Sequence, residues 1–308
     1  MIREAVSAVA RNRAIGGVIN SAPIARGVVR RIVAGSGLDE AMGIAARLAD
    51  EGRWVSLERE KPSIESDAEA DAVLSEYREL VDRVAAEGLA ESCGVVILPE
   101  SLGTADGSIT DSALARLESL CDHGMVAGVE VTVGTGPARD VDRTLSCAEA
   151  MFDRGASVGV TLQAAMRRSE ADCARYAAHR IRLVKGANRT GGELTYAQPA
   201  EIDKAYVRCA RLLLRGSGEP SFATHDARLI EIVEALAARL GRTPQTYEFT
   251  LYLGRLEGTQ DRLAAAGGRV RIHVPYGPGW IDRLMAGLAE QPNTITAAVR
   301  SLLPGAPR

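Results

Sequence analysis

The chain has 308 residues, of which 46% are hydrophobic and 25% are charged, and its formal net charge is −3. This composition is typical of a folded globular protein and argues against a disordered one. With 37 basic and 40 acidic side chains, and no basic block interleaved with aromatic residues, the chain is not predicted to bind nucleic acid.

Cysteine and histidine usage gives no support for disulfides or metal sites. The five cysteines are scattered and include no C-x-x-C spacing, so we expect reduced, buried thiols in a cytoplasmic protein. The four histidines include no H-x-x-x-H pair, so no metal site is predicted. The N-terminal residues contain no long apolar run, and neither a secretory signal nor a membrane-spanning segment is predicted.

Residues 1–50 predict two or three helices. Glycines punctuate this stretch, and apolar residues recur at helical spacing within 38–48. We interpret it as an N-terminal helical segment that precedes a larger catalytic domain spanning residues 51–308.

Short apolar strands then alternate with amphipathic helices. The predicted strands span residues 54–57, 95–98, 126–133, 158–163, 181–185, 221–224, 247–252 and 270–274. Eight such units favour an α/β fold, a (β/α)8 or TIM barrel, whose parallel strands are buried on both faces and read as nearly continuous apolar runs. An open doubly wound sheet is the alternative, but no G-x-G-x-x-G motif follows the first strand.

The segment 180–188 predicts a strand that brings Arg182 and Lys185 to its end before breaking at Gly186. Two cations at the end of a buried strand are unfavourable unless an anion or a polar ligand lies there, and our hypothesis is a flavin dinucleotide. Arg182 and Gln163, at adjacent strand ends, could donate to the flavin N5 and O4, where charge collects during hydride transfer. The alternative is an arginine–carboxylate pair that ties the strand ends together.

The later strands offer further candidates. Thr224 or Asp226 could cap the helix that follows the sixth strand, and the free N–H groups of that helix could bind a phosphate. His225 could donate to a phosphate oxygen or a flavin carbonyl, or serve only in capping. Tyr247-Glu248-Phe249 could stack an aromatic ring on the flavin or belong to the core. Near the last strand, His273 is a candidate acid/base group because the pKa of histidine lies near neutrality.

Together these segments resemble the proline dehydrogenase family, flavin enzymes with a distorted (β/α)8 barrel, from about residue 54 to residue 292. The matching segments are LQA at 162–164, RLVKGA at 182–187, FATHD at 222–226, YEF at 247–249 and VPYG at 274–277. The resemblance implies non-covalently bound FAD and hydride removal from the carbon next to a secondary amine nitrogen, which gives an imine.

The resemblance also implies roles for individual residues. It places Arg182 on the flavin N5 side and Gln163 near the pyrimidine end. The residues implied along the ribose and phosphate tail are Lys185, Thr224 and His225. Other residues of the matching segments are predicted to complete the cofactor site: Gly186, Ala187 and Glu248.

The chain departs from the family pattern on the substrate side. The arginine pair with which the family binds the proline carboxylate is matched by Ala286 and Gly287. Family tyrosines are replaced by Asn188, His273 and Arg283. We predict that His273 and Arg283 act in catalysis with Arg182. The predicted substrate-binding residues are Asn188, Tyr252, Tyr276 and Arg283, although Arg283 could also be a solvated surface charge.

Three functions follow from these residues. The first is a FAD-dependent dehydrogenase or oxidase of an amine, an N-substituted amino acid or a hydrazine-type substrate, because each lost charged hydrogen bond is worth roughly 1.5–3 kcal/mol of proline binding. The second is a true proline dehydrogenase in which Arg283 binds the carboxylate, and the third is a non-catalytic flavin-binding protein. A quinone or dioxygen is the expected electron acceptor, and a quinone-reducing enzyme could dock peripherally on a membrane. The oligomeric state is not predicted.

Overall fold

The computed structural model describes residues 37–60, 64–105, 107–136, 138–155, 157–186 and 192–278. The barrel strands are β1 (Trp54–Arg59), β2 (Cys93–Ile97), β3 (Val131–Val133), β4 (Val158–Gln163), β5 (Arg180–Val184), β6 (Ser221–Ala223), β7 (Glu248–Tyr252) and β8 (Arg269–Tyr276). The α-helices are α1 (Leu38–Asp50), α2 (Asp67–Ala86), α3 (Asp111–Ala127), α4 (Val141–Asp153), α5 (Ser169–Arg175), α6 (Pro199–Arg215), α7 (Ala227–Arg239) and α8 (Glu257–Ala265). None of these helices is both long and apolar enough to cross a lipid bilayer.

The eight strands are parallel and close into a barrel in the order β1-β8-β7-β6-β5-β4-β3-β2. Closure depends on the pairing of β1 with β8, the first and last strands in the chain. The helices that follow the strands cover the outside, and α1 packs against β1 and β8. The predicted α/β barrel is therefore confirmed, and the open sheet is not.

The third strand is shorter than predicted. The apolar residues Met125 and Val126 belong to the last turn of α3, where Val126 is 86% exposed. Gly128 then ends the helix in the left-handed conformation at φ 70°, and β3 begins only at Val131. An apolar run that was assigned to one strand is thus divided between a helix end and a strand.

The barrel interior is polar, whereas the apolar core lies between the strands and the helices. Successive side chains of a strand point to opposite faces. Val55 and Leu57 of β1 are buried in the hydrophobic core, while Ser56 lines a small cavity on the barrel axis. Each of the eight strands contributes to that cavity, lined by Ser56, Val96, Glu130, Thr132, Gly159, Arg180, Arg182, Ser221, Glu248 and Arg271. Several strands therefore alternate between apolar and polar residues instead of reading as continuous apolar runs.

A ring of four alternating charges closes this interior at the N-terminal ends of the strands. Glu248 accepts hydrogen bonds from Arg271 Nε at 2.7 Å and from Arg180 Nη2 at 3.1 Å. Glu130 completes the ring, since its Oε2 lies 3.0 Å from Arg180 Nε and 3.2 Å from Arg271 Nη2. We call these four residues the floor ring. Because each charge has two partners of opposite sign, the ring compensates its own burial.

The floor ring corrects the prediction that Glu248 binds the cofactor. Glu248 is the first residue of β7 and so lies at the N-terminal end of its strand, whereas sites in this fold form at the C-terminal ends. Burial alone would raise the pKa of Glu248, but Arg271 and Arg180 hold it at about 2. The structure therefore assigns this carboxylate to the barrel floor.

Candidate active site

The C-terminal ends of the strands form the open end of the barrel, which we call the mouth. Gln163 and Tyr252 are the last residues of β4 and β7, and Lys185 follows β5 directly. Thr224 and His225 follow β6. The predicted residues Ala187, Asn188 and Arg283 lie outside the described residues, as do residues 1–36 of the predicted helical segment.

Arg182 is a cation without a counterion in the described part of the chain. It is the third residue of β5 and faces the barrel interior. Its Nε is buried without a hydrogen-bond partner, and no described residue forms an ion pair with its guanidinium. Arg180, two residues earlier on the same face, pairs by contrast with Glu130, Glu219 and Glu248. The arginine–carboxylate pair that ties strand ends together is therefore formed by Arg180, and Arg182 forms no such pair with the described residues.

Gln163 and Gly186 are packed against each other beside Arg182. The Gln163 amide is buried and its Nε2 donates to Thr135 Oγ1 at 2.6 Å, which fixes the orientation of the side chain. Gly186 has φ +85°, and a Cβ there would lie 2.6 Å from Gln163 Oε1. Only glycine allows the chain to turn this closely over the amide, so the turn after β5 depends on Gly186.

Lys185 is held by two aspartates. Its Nζ lies 2.6 Å from Asp203 Oδ1 and 3.1 Å from Asp226 Oδ2. Arg228 contacts the same two carboxylates, at 3.0 and 3.5 Å. Burial alone would raise the pKa of Asp226, but Lys185 and Arg228 hold it below its ordinary value. We call these four residues the aspartate cluster; it presents two cations and two anions at the start of α7.

Asp226 also lies directly before α7 and decides which of Thr224 and Asp226 caps that helix. Its Oδ1 accepts from the Arg228 backbone N–H at 3.1 Å, and Thr224 Oγ1 accepts from the Asp226 N–H at 3.1 Å. Asp226 is therefore the N-cap, and Thr224 stabilises the turn before it.

The His225 imidazole is neutral and carries a single N–H donor group. Its Nε2 accepts from the Tyr252 backbone N–H at 3.0 Å, so the ring proton is assigned to Nδ1. Burial first, and then nearby cationic groups that include Arg255 and Arg182, lower its pKa to about 4. Donation to a ligand, as predicted from the sequence, is therefore possible only from Nδ1.

His273 lies at the mouth but both of its ring nitrogens are engaged. Nδ1 lies 3.0 Å from Ser56 Oγ, and Nε2 lies 2.9 Å from Glu58 Oε2. The ring is 1% exposed and contacts the edge of Tyr252, with ring centroids 4.8 Å apart. In this arrangement His273 cannot take a proton directly from a substrate, which corrects its prediction as the acid/base group.

Sequence reasoning missed Ser56 and Glu58, both buried on the inner face of β1. The signal was the alternation of Val55-Ser56-Leu57-Glu58, in which two apolar residues share one face and two polar residues share the other. A strand exposed only to a hydrophobic core would carry no such alternation.

Tyr276 is not placed at the mouth. It is the last residue of β8 and its ring is buried on the outer face, where the nearest charges belong to Arg59 and Glu76. Burial raises its pKa above the usual range. The prediction that Tyr276 binds substrate is therefore corrected, whereas Tyr252 does face the mouth through its contact with His273.

Comparisons with known proteins point to one family. The family model described as proline dehydrogenase matches residues 41–288. Proline dehydrogenase 1 of Bacillus subtilis (strain 168) is 24% identical over 276 residues, which cover 89% of this chain and 90% of that protein. Proline dehydrogenase of Deinococcus radiodurans is 27% identical over 282 residues, which cover 90% of this chain and 91% of that protein.

Solved structures show the same fold. Proline utilization A from Bdellovibrio bacteriovorus, inactivated by N-propargylglycine, superposes with a TM-score of 0.78 at 21% sequence identity. The match covers 95% of this chain but 34% of that protein, so this chain spans about a third of its length.

Proposed function

The chain belongs to the proline dehydrogenase family, and from this premise we propose that it is a FAD-dependent enzyme that oxidises proline at the carbon next to the ring nitrogen. Family membership makes it an oxidoreductase acting on a CH–NH donor. The observation that carries the proposal is the Arg182 guanidinium, which has no counterion among the described residues at the mouth of the barrel.

The residues at the mouth fit a bound flavin. The Arg182 guanidinium, which has no counterion among the described residues, would stabilise negative charge that develops on a flavin ring. His225 contributes a neutral N–H donor, and Gly186 leaves the space that a Cβ would fill beside Gln163. When bound, the flavin supplies the two-electron acceptor for the substrate hydride. Arg182 and His225 would orient it, and Lys185 would lie near its phosphates.

Proline is the first candidate substrate because the curated relatives that match nearly the whole chain are named proline dehydrogenases. This reverses the order suggested by the residues alone, which favoured another amine. The second candidate is a different CH–NH donor. It is favoured by His273, which replaces a tyrosine of the family pattern and is buried against Ser56 and Glu58.

The test is anaerobic mixing of the purified FAD-loaded protein with a panel of secondary amines, followed by the loss of flavin absorbance. We expect L-proline at millimolar concentration to reduce the flavin faster than D-proline, acyclic N-methyl amino acids or hydrazines. Faster reduction by one of the other donors would establish the second candidate. Protein that retains FAD but is reduced by no member of the panel would contradict both and indicate a non-catalytic flavin-binding protein.

The aspartate cluster predicts a gain in FAD affinity from a single substitution. A cofactor phosphate near Lys185 would compete with Asp226, so Asp226→Asn should lower the FAD dissociation constant about two- to fivefold, the range expected for partly exposed ion pairs. Asparagine is an equally good N-cap, so α7 should be preserved. Affinity would be measured by fluorescence titration of the apoprotein. Asp261→Asn, which removes a partner of Arg53 elsewhere, is the matched control, and weaker FAD binding by Asp226→Asn would contradict the assignment.

A further inference from the structure

Three side chains at the mouth form a contiguous row of close polar contacts. Glu58 Oε2 lies 2.9 Å from His273 Nε2, and His273 Nδ1 lies 3.0 Å from Ser56 Oγ. Ser56 and Glu58 are two residues apart on the inner face of β1, and β8 brings His273 beside them through the β1–β8 pairing. All three side chains are buried. We call this group the mouth relay.

The mouth relay has the connectivity of a hydrolytic triad but not its accessibility. In such a triad the hydroxyl faces the substrate and the carboxylate lies behind the imidazole. Here Ser56 is the deeper end, because it lines the cavity on the barrel axis, and Glu58 is the next-to-last residue of β1. The carboxylate is therefore the end of the row nearest to the mouth.

Oxidation of an amine to an imine requires a proton acceptor at this place. As the C–H bond breaks, its electron pair leaves as hydride to the cofactor. The nitrogen lone pair forms the C=N double bond and the N–H proton goes to a base, so the substrate loses two electrons and two protons in all, one proton within the hydride and one to the base.

The other described groups at the mouth are poor acceptors for that proton, and the carboxylates of Asp203 and Asp226 are already paired with Lys185 and Arg228. An arginine such as Arg182 has no acceptor atom. His225 Nε2 is occupied by a backbone N–H, and the pKa of its ring is about 4. His273 has both nitrogens engaged. A carboxylate offers about four acceptor sites, and the contact of Glu58 Oε2 with His273 occupies only part of that capacity.

We propose that Glu58 is a catalytic residue that accepts the proton lost by the substrate nitrogen, and that His273 and Ser56 are positioning residues that hold its carboxylate. This inference rests on the proposed amine oxidation. The acid/base role predicted for His273 from the sequence is thereby assigned to Glu58, which the sequence did not suggest.

The test is Glu58→Gln, which keeps the shape of the side chain and an oxygen for His273 but removes the basic carboxylate. The rate constant of flavin reduction by the best substrate of the panel should fall about a hundredfold or more. The apparent dissociation constant of that substrate, the FAD content and the midpoint of thermal unfolding should stay close to those of the unmodified protein. In infrared difference spectra, substrate addition should produce the carbonyl stretch of a protonated carboxyl group in the unmodified protein and not in the variant.

Two further variants separate catalysis from packing. Ser56→Ala should lower the rate constant by a smaller factor and leave the apparent dissociation constant of the substrate unchanged, a split that a purely structural role would not produce. Glu76→Gln is the matched control, because Glu76 pairs with Arg59 on the outer side of β1 at 2.7 Å, and its reduction rate should be unchanged.

The outcomes distinguish this inference from the proposed function. If secondary amines reduce the unmodified protein and Glu58→Gln at the same rate, the role of Glu58 is overturned and the proposed function stands. The same holds if the protonated-carboxyl signal persists in the variant, since another group then takes the proton. If no amine reduces the unmodified protein, the proposed function fails and the role of Glu58 fails with it.

Discussion

Glu248→Ala is expected to lower the free energy of unfolding by about 3–5 kcal/mol, the cost of removing one partner from a buried ion pair. Both oxygens of Glu248 accept from arginines of the floor ring, at 2.7 and 3.1 Å, and the residue is 3% exposed. Without it, Glu130 is the one carboxylate partner that Arg271 keeps among the described residues. Urea unfolding followed by circular dichroism would measure the loss.

Glu219→Ala is the matched control for this experiment. Glu219 also pairs with Arg180, at 3.2 Å, but its side chain is 51% exposed. Exposed ion pairs contribute about 0–1 kcal/mol, so this variant should remain close to the unmodified protein. Equal losses in the two variants would show that burial does not set the contribution of the floor ring.

The floor ring also makes stability depend on pH in a defined window. The folded-state pKa of Glu248, about 2, lies below its ordinary value of 4.5. A lowered pKa contributes stability that is present above pH 4.5 and is lost as the pH falls towards 2. The difference in unfolding free energy between the unmodified protein and Glu248→Gln should therefore shrink over that window. A difference that stays constant from pH 5 to pH 2 would contradict the assignment.

Arg182→Ala is expected to slow flavin reduction by about 10²–10³-fold, the range measured when one donor to a developing negative charge is removed. Its guanidinium has no partner among the described residues, so its removal takes a counterion from no buried carboxylate there. The thermal midpoint should therefore change little. Rapid-mixing measurements with the best substrate of the panel, together with the FAD content of the purified variant, would measure the effect.

Arg180→Ala, on the same strand, is expected to lower stability and not the rate of flavin reduction. Arg180 pairs with Glu130, Glu219 and Glu248, so its removal should destabilise the fold while any remaining folded protein retains its reduction rate. An unchanged reduction rate in Arg182→Ala, or a larger loss of stability there than in Arg180→Ala, would contradict the different roles of these two arginines.

Much of the fold could be read from local patterns. Strand and helix periodicity follows from which side chains must be buried, and it identified eight alternating units and hence the barrel. The matching segments selected Gln163, Arg182, Gly186 and His225 as candidates because each lies in a strand or a turn that is specified by its own neighbours in sequence. Gly186 is a clear case, since a positive φ beside a buried amide admits no side chain.

The partners of those residues were decided only by the tertiary structure. Ser56 and His273 are 217 positions apart, and they meet because the barrel closes by pairing its first strand with its last. Glu248 lies in a matching segment, but its place at the start of β7 puts it among arginines of other strands at the floor. Tyr276 lies three residues after His273 on β8. Because successive side chains alternate between the two faces of a strand, an odd separation places them on opposite faces.

The sequence by itself therefore determined which residues form strands, which turns need glycine and which family the chain resembles, because these depend on interactions between near neighbours. It did not determine which charges meet inside the barrel. Those contacts depend on register and closure across eight strands, and a shift of one residue would exchange the inner and outer faces of a strand. In this protein, register and closure place His273 against Ser56 and Glu58, so that it holds Glu58 in place instead of acting as the base.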